Sequence, residues 1–156
     1  MNITDIQTLH SLVWSYRNRL SSLWPTPSCA DSLAFAFTEI GEAVDAQLRQ
    51  NPVYNRNHDK NVDVESELAD CLIMLLTALG SDTGWIASAE YYDVITTYYG
   101  KLENIALPIA LTMADSTTRN ILISIYSMNV WEWQSDIYTT VKDRLDRIEK
   151  RVTCAS

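Results

Sequence analysis

Glycine and proline are scarce in this chain, four of each among 156 residues. A β-rich fold needs many tight turns, and tight turns draw on these two residue types. The shortage therefore favours long helices. Cysteine is also scarce: Cys29, Cys71 and Cys154 are odd in number and widely spaced. That pattern fits neither a disulfide framework nor a zinc site, so a reducing, cytoplasmic setting is expected. No apolar run is long enough to span a bilayer, and the stretch from Cys71 to Leu76 is far too short. Met1 to Asp5 is not followed by a charged-then-apolar leader pattern, and no membrane association is expected. Basic residues number 12 against 20 acidic ones, for a net charge of −8. A nucleic-acid polymer needs clustered Lys and Arg against its phosphates and is not expected as the main partner. A small phosphorylated ligand remains open, because a metal ion can mediate that contact.

The chain is 47% hydrophobic and 21% charged, ordinary values for a globular protein. Its length suits a single domain over residues 1–156 with a sizeable core. Apolar spacing predicts a first helix, capped by Thr4 or Asp5 and carrying Ile6, Leu9, Val13 and Tyr16 or Arg17, which stops before Trp24-Pro25-Thr26-Pro27. A second helix is expected from Asp31 or Ser32 to about Gln50, then a polar loop from Asn51 to Asn61, then a third helix from near Val62 to Gly80. Glu90 to Met113 fits a helix that Gly100 or Pro108 divides. Thr117 to Asn129 fits another. The last runs from Asp136 to about Val152, capped by Ser135, with Ile137, Val141, Leu145, Ile148 and Val152 inward. The expected class is all-α, a bundle of five or six helices around a four-helix core.

Two acidic motifs carry the chemistry: Glu39-Ile40-Gly41-Glu42 and Glu67-Leu68-Ala69-Asp70. Each places two carboxylates three residues apart, within roughly 60° on one helix face. Neither helix brings a Lys or Arg close to its pair. On the second helix Leu33, Phe37, Ile40, Val44 and Leu48 form an apolar stripe, while Thr38, Gly41, Asp45 and Arg49 suit water. Glu39 and Glu42 fall on neither strip. Their neighbours are Phe35 and Ala46, flanked by Ala36 and Ala43, which points to a second packed face. On the third helix Asp63, Glu67, Asp70 and Met74 align on one face, beside a segment that is apolar all round and therefore central. Burying an unpaired carboxylate costs several kcal/mol or forces protonation. A divalent ion with a preference for oxygen, Mg²⁺ or Mn²⁺, is the simplest neutraliser. The competing reading is a set of solvated helix charges. A di-iron bundle is disfavoured, since it needs Glu-x-x-His and neither His10 nor His58 follows a Glu by three.

Phe37-Thr38-Glu39-Ile40-Gly41-Glu42-Ala43, a variable loop, then Glu67-Leu68-Ala69-Asp70 resembles the all-α nucleoside triphosphate pyrophosphatases. That MazG-like group includes the dimeric dUTPases and phosphoribosyl-ATP pyrophosphatase. Its pattern is E-E-x-x-E, a gap, then E-x-x-D, and the likeness spans residues 24 to 79. The resemblance implies Mg²⁺-dependent hydrolysis of a nucleoside triphosphate between the α- and β-phosphates, giving monophosphate and pyrophosphate. Carried over by position, Glu39, Glu42, Glu67 and Asp70 are the implied metal ligands; closely spaced carboxylates can share a proton and supply the base, with Glu39 a catalytic candidate. The family's first Glu is Thr38 here, and Asp63 is the candidate substitute.

Basic residues of a later helix contact the phosphates in that family. The final helix here carries Lys142, Arg144, Arg147, Lys150 and Arg151, with Lys142 and Arg147 the chosen candidates. Interleaved Asp143, Asp146 and Glu149 allow a plain reading as i,i+4 pairs. Arg56, His58 and Lys60 sit in the joining loop and are candidates to close over a triphosphate. Trp14 or Trp24 can stack on a base. Tyr91, Tyr92, Tyr98, Tyr99, Trp131 and Trp133 read as an interface or second-layer core, and a homodimer or homotetramer is expected. Two alternatives stand beside the enzyme: a metal- and nucleotide-binding module without turnover, and a helical protein-interaction domain.

Overall fold

The computed structural model describes residues 3–54, 63–86, 102–128 and 131–156. The described residues form six helices and no strand: α1 (Ile3–Arg19), α2 (Cys29–Arg49), α3 (Val64–Ala78), α4 (Leu102–Ala114), α5 (Thr118–Ser127) and α6 (Ile137–Ala155). None of them is long and apolar enough to cross a membrane. The expected residues Arg56, His58, Lys60, Tyr91, Tyr92, Tyr98 and Tyr99 lie outside the described set, as does the first part of the Glu90–Met113 helix.

Helix α3 is the hub. It packs on α1, α2, α5 and α6, and Leu68, Ala69, Cys71, Leu72, Ile73, Leu75 and Leu76 are all buried. A helix apolar on every side is stable only where neighbours cover every side. Helix α2 is its broadest partner and meets it through Leu33, Ala36, Ile40, Ala43 and Ala46. The buried face of α2 therefore differs from the stripe of large side chains. Phe37 and Leu48, expected inside, are 45% and 52% exposed. Small alanines let the α2 backbone approach α3 closely, and the bulky residues turn outward beside α4, whose Leu107, Leu111 and Met113 are also exposed.

Caps set the helix starts and correct several expected boundaries. Ser28, not Asp31 or Ser32, caps α2 by accepting the Asp31 backbone N–H. Asp136, not Ser135, caps α6 through the Thr139 N–H. Helix α1 already includes Ile3, so Thr4 and Asp5 lie in its first turn, where Asp5 suits the positive end of the helix dipole. Thr117 caps α5. Pro108 lies within α4, which continues through it. After α3 the chain turns at Gly80, whose φ of 79° favours glycine. The Gly80 carbonyl lies 2.7 Å from Nε2 of buried His10, tying the turn to α1.

Helix α6 is fastened along two flanks. Toward α1, the Tyr16 hydroxyl donates to Asp146 and Arg19 pairs with Glu149 at 2.9 Å. Toward α3, the Glu65 carboxylate accepts from the Gln134 and Ser135 backbone just before the helix starts. Val141 and Leu145 are buried between these flanks. This placement sends the arginine-bearing side of α6 over the acidic end of α3.

Candidate functional site

A cavity of about 540 Å³ opens where α2, α3 and α6 meet, closed on one side by the segment after α1. Its acidic wall holds Glu39 and Glu42 from α2 and Glu67 and Asp70 from α3. The two E-x-x-[DE] spacings turn both pairs toward the α2–α3 seam, because each helix buries its alanine or leucine face in that seam. Oxygens of Glu39, Glu67 and Asp70 all lie within 4.8 Å of one another. Glu42 is more exposed and stands beside this trio, hydrogen-bonded to Glu67.

Burial and mutual repulsion act on these groups together. Partial burial, then the charges of Asp70, Glu42 and Glu67, push the Glu39 carboxyl up to about 7. Glu67 is raised for the same first cause, with Asp70 next. A site that resists ionisation in this way attracts a cation. Three half-buried carboxylate oxygens from two rigid helices fit a hard divalent ion, which prefers oxygen ligands.

One cation is built into the site, and the sequence reading missed it. Arg144 of α6 donates from Nε to Asp70 Oδ1 at 2.9 Å and from Nη2 to Oδ2, a two-point pair across helices. As expected, α2 and α3 bring no Lys or Arg to the carboxylates; the cation comes from α6. Arg147 and Arg151 follow Arg144 along the same flank and line the same cavity. Lys142, chosen from sequence, lies roughly on the opposite side of α6. There it pairs with Asp146 at 2.6 Å and does not line the cavity. The spacing 144, 147, 151 beside the buried 141 and 145 positions was the available signal.

The same cavity is also lined by apolar and aromatic side chains: Trp24, Pro27, Phe35, Ile73 and Met74. Trp24 is held there by Arg17, whose guanidinium carbon lies 3.4 Å from the ring centroid. Arg17 is 1% exposed and has no carboxylate partner among the described residues. Burial lowers its pKa to about 10. Its other contacts are long: the Thr77 hydroxyl at 3.3 Å, the Pro25 carbonyl at 3.5 Å and Met74 sulfur at 3.6 Å. Trp14, the other stacking candidate, instead donates its indole N–H to the Leu76 carbonyl.

Two expected participants sit elsewhere. Asp63 is the N-cap of α3, with its carboxylate accepting from the Glu65 and Ser66 backbone N–H groups and the Ser66 hydroxyl. It does not line the cavity, because the helix start needs that carboxylate and fixes its direction. Thr38 is exposed, and its hydroxyl donates to the Ala34 carbonyl one turn back. Comparison with protein-family models, with curated proteins and with solved structures finds no match. The site's own geometry carries the functional reading.

Proposed function

We propose that this chain is a MazG-like, divalent-metal-dependent nucleoside triphosphate pyrophosphohydrolase, cutting between the α- and β-phosphates. The observation that carries the reading is one cavity lined by three chemistries: clustered carboxylates, arginines, and apolar and aromatic side chains that include Trp24 and Phe35. A nucleoside triphosphate presents the matching set of metal-binding phosphates, free anionic oxygens and a flat base.

Glu39, Glu67 and Asp70, with Glu42 beside them, are the residues to hold Mg²⁺ or Mn²⁺. When bound, such an ion screens the polyphosphate and activates water for attack on phosphorus. Arg147 and Arg151 offer charge-assisted hydrogen bonds to phosphate oxygens. Trp24, steadied from behind by Arg17, offers a stacking face. Glu39 is the catalytic candidate among these carboxylates, placed within the trio to take the proton of the attacking water. The reaction consumes one water and yields monophosphate, pyrophosphate and a proton. The partner reading, a homodimer or homotetramer, draws support from the exposed apolar side chains on adjoining α2 and α4.

A second reading is favoured by Thr38 and Asp63, neither of which lines the cavity. It is a metal- and nucleotide-binding module without turnover. Pyrophosphate release by the wild type separates the two readings, and Glu42→Gln and Asp70→Asn, measured the same way alongside far-ultraviolet circular dichroism, test the site. The enzyme reading expects both to abolish release with helicity retained. Full release in both variants overturns the site.

A further inference from the structure

Asp70 belongs at once to the cation-binding trio and to a two-point ion pair with Arg144. The pair is well withdrawn from water, Arg144 being 24% and Asp70 17% exposed. A guanidinium carries donors only, in a fixed plane, and here two of them occupy both oxygens of one carboxylate. The pair joins two helices far apart in sequence, so it is a tertiary contact of the folded site rather than a local helix pair. Among the described residues the cluster of Glu39, Glu42, Glu67 and Asp70 has one paired cation, Arg144, so the carboxylates outnumber the positive charge bound to them.

A divalent cation on the same oxygens brings two further positive charges close to the guanidinium. Within a few ångströms and away from bulk water, that repulsion is large enough to change an affinity by an order of magnitude. The geometry points to Arg144 as a resident competitor of the divalent ion at Asp70, released onto the phosphate of a bound ligand. This rests on the metal-site reading above and deepens it. Ion and phosphate then bind with positive coupling, because each makes room for the other through one side chain. Arg147 and Arg151 line the cavity farther along the same flank. A guanidinium leaving Asp70 thus enters a wall already suited to anions.

The test is Mn²⁺ binding by calorimetry to the full chain, without nucleotide and then with saturating nucleoside monophosphate, a weak chelator. Arg144→Met is expected to bind Mn²⁺ alone about tenfold more tightly than the wild type. Monophosphate should tighten Mn²⁺ several-fold in the wild type and leave the variant unchanged. A purely structural Arg144 predicts the opposite sign, equal or weaker Mn²⁺ binding in the variant, and that result overturns the inference while sparing the metal site. If neither protein binds Mn²⁺, the metal-site reading falls and takes the inference with it. Arg144→Gln removes the charge with a polar side chain, and it carries the test should the Met variant fail to fold. It too should bind Mn²⁺ more tightly than the wild type, and equal or weaker binding overturns the inference.

Discussion

Replacing Glu39 with Gln should stabilise the ion-free protein, and by an amount that depends on pH. The folded site moves this carboxyl from 4.5 to about 7, first by burial and then by Asp70, Glu42 and Glu67. The folded state therefore holds the proton more tightly than the unfolded chain does. Between those two values the folded state binds more protons, so stability falls as pH rises, and the full penalty is present above about 7. At 1.36 kcal/mol per pKa unit the penalty is at most about 3 kcal/mol, and solvent screening of a half-buried group brings it to about 1–3 kcal/mol. Gln keeps the shape and removes the charge. Urea unfolding in EDTA at about pH 8 should show Glu39→Gln more stable than the wild type by that margin. At about pH 5 the margin should shrink below about 1 kcal/mol, because the folded wild type is then already protonated there. Equal stability at the higher pH, or a margin that ignores pH, refutes the picture of four carboxyls crowded against one another.

Other outcomes follow from the same contacts. Asp63→Ala should cost about 0.5–2 kcal/mol in urea unfolding as a lost helix cap, yet leave Mn²⁺ affinity and turnover intact. Leu72→Ala, at the centre of the hub helix, should cost about 2–5 kcal/mol in the same assay. Leu107→Glu changes a side chain that is 62% exposed, so it should leave monomer stability unchanged while lowering the sedimentation coefficient of an assembled species. An unchanged sedimentation coefficient removes α4 from any subunit interface.

The hub helix α3 was legible because apolar residues surround it, and such a segment has only one stable location, inside. Cap positions slipped by a residue or more where candidates crowd together, as with Ser135 beside Asp136 and Ser28 ahead of Asp31. Both members of each pair suit the role chemically, and only the backbone path decides. The inner face of α2 was legible at Leu33 and Ile40 but misassigned at Phe37 and Leu48, because periodicity weights bulky residues. Close helix packing instead selected Ala36, Ala43 and Ala46. The acidic pairs were legible as pairs, since three-residue spacing fixes a shared helix face. Arg144 was not, because its partner lies on another helix. Lys142 has a local partner in Asp146 at i+4, whereas no carboxylate stands three or four residues from Arg144. Arg17 was legible as a position at the apolar spacing of α1, but its stacking on Trp24 was not, because a buried cation resting on an indole leaves no charge pattern along its own helix.

The most direct test of the central claim is pyrophosphate release from a panel of canonical and modified nucleoside triphosphates, with Mg²⁺ or Mn²⁺ and an EDTA control. Release that needs the ion, from at least one member of the panel, is the expected result. Calorimetric Mn²⁺ binding with no release from any triphosphate contradicts the enzyme and leaves a binding module built on the same four carboxylates.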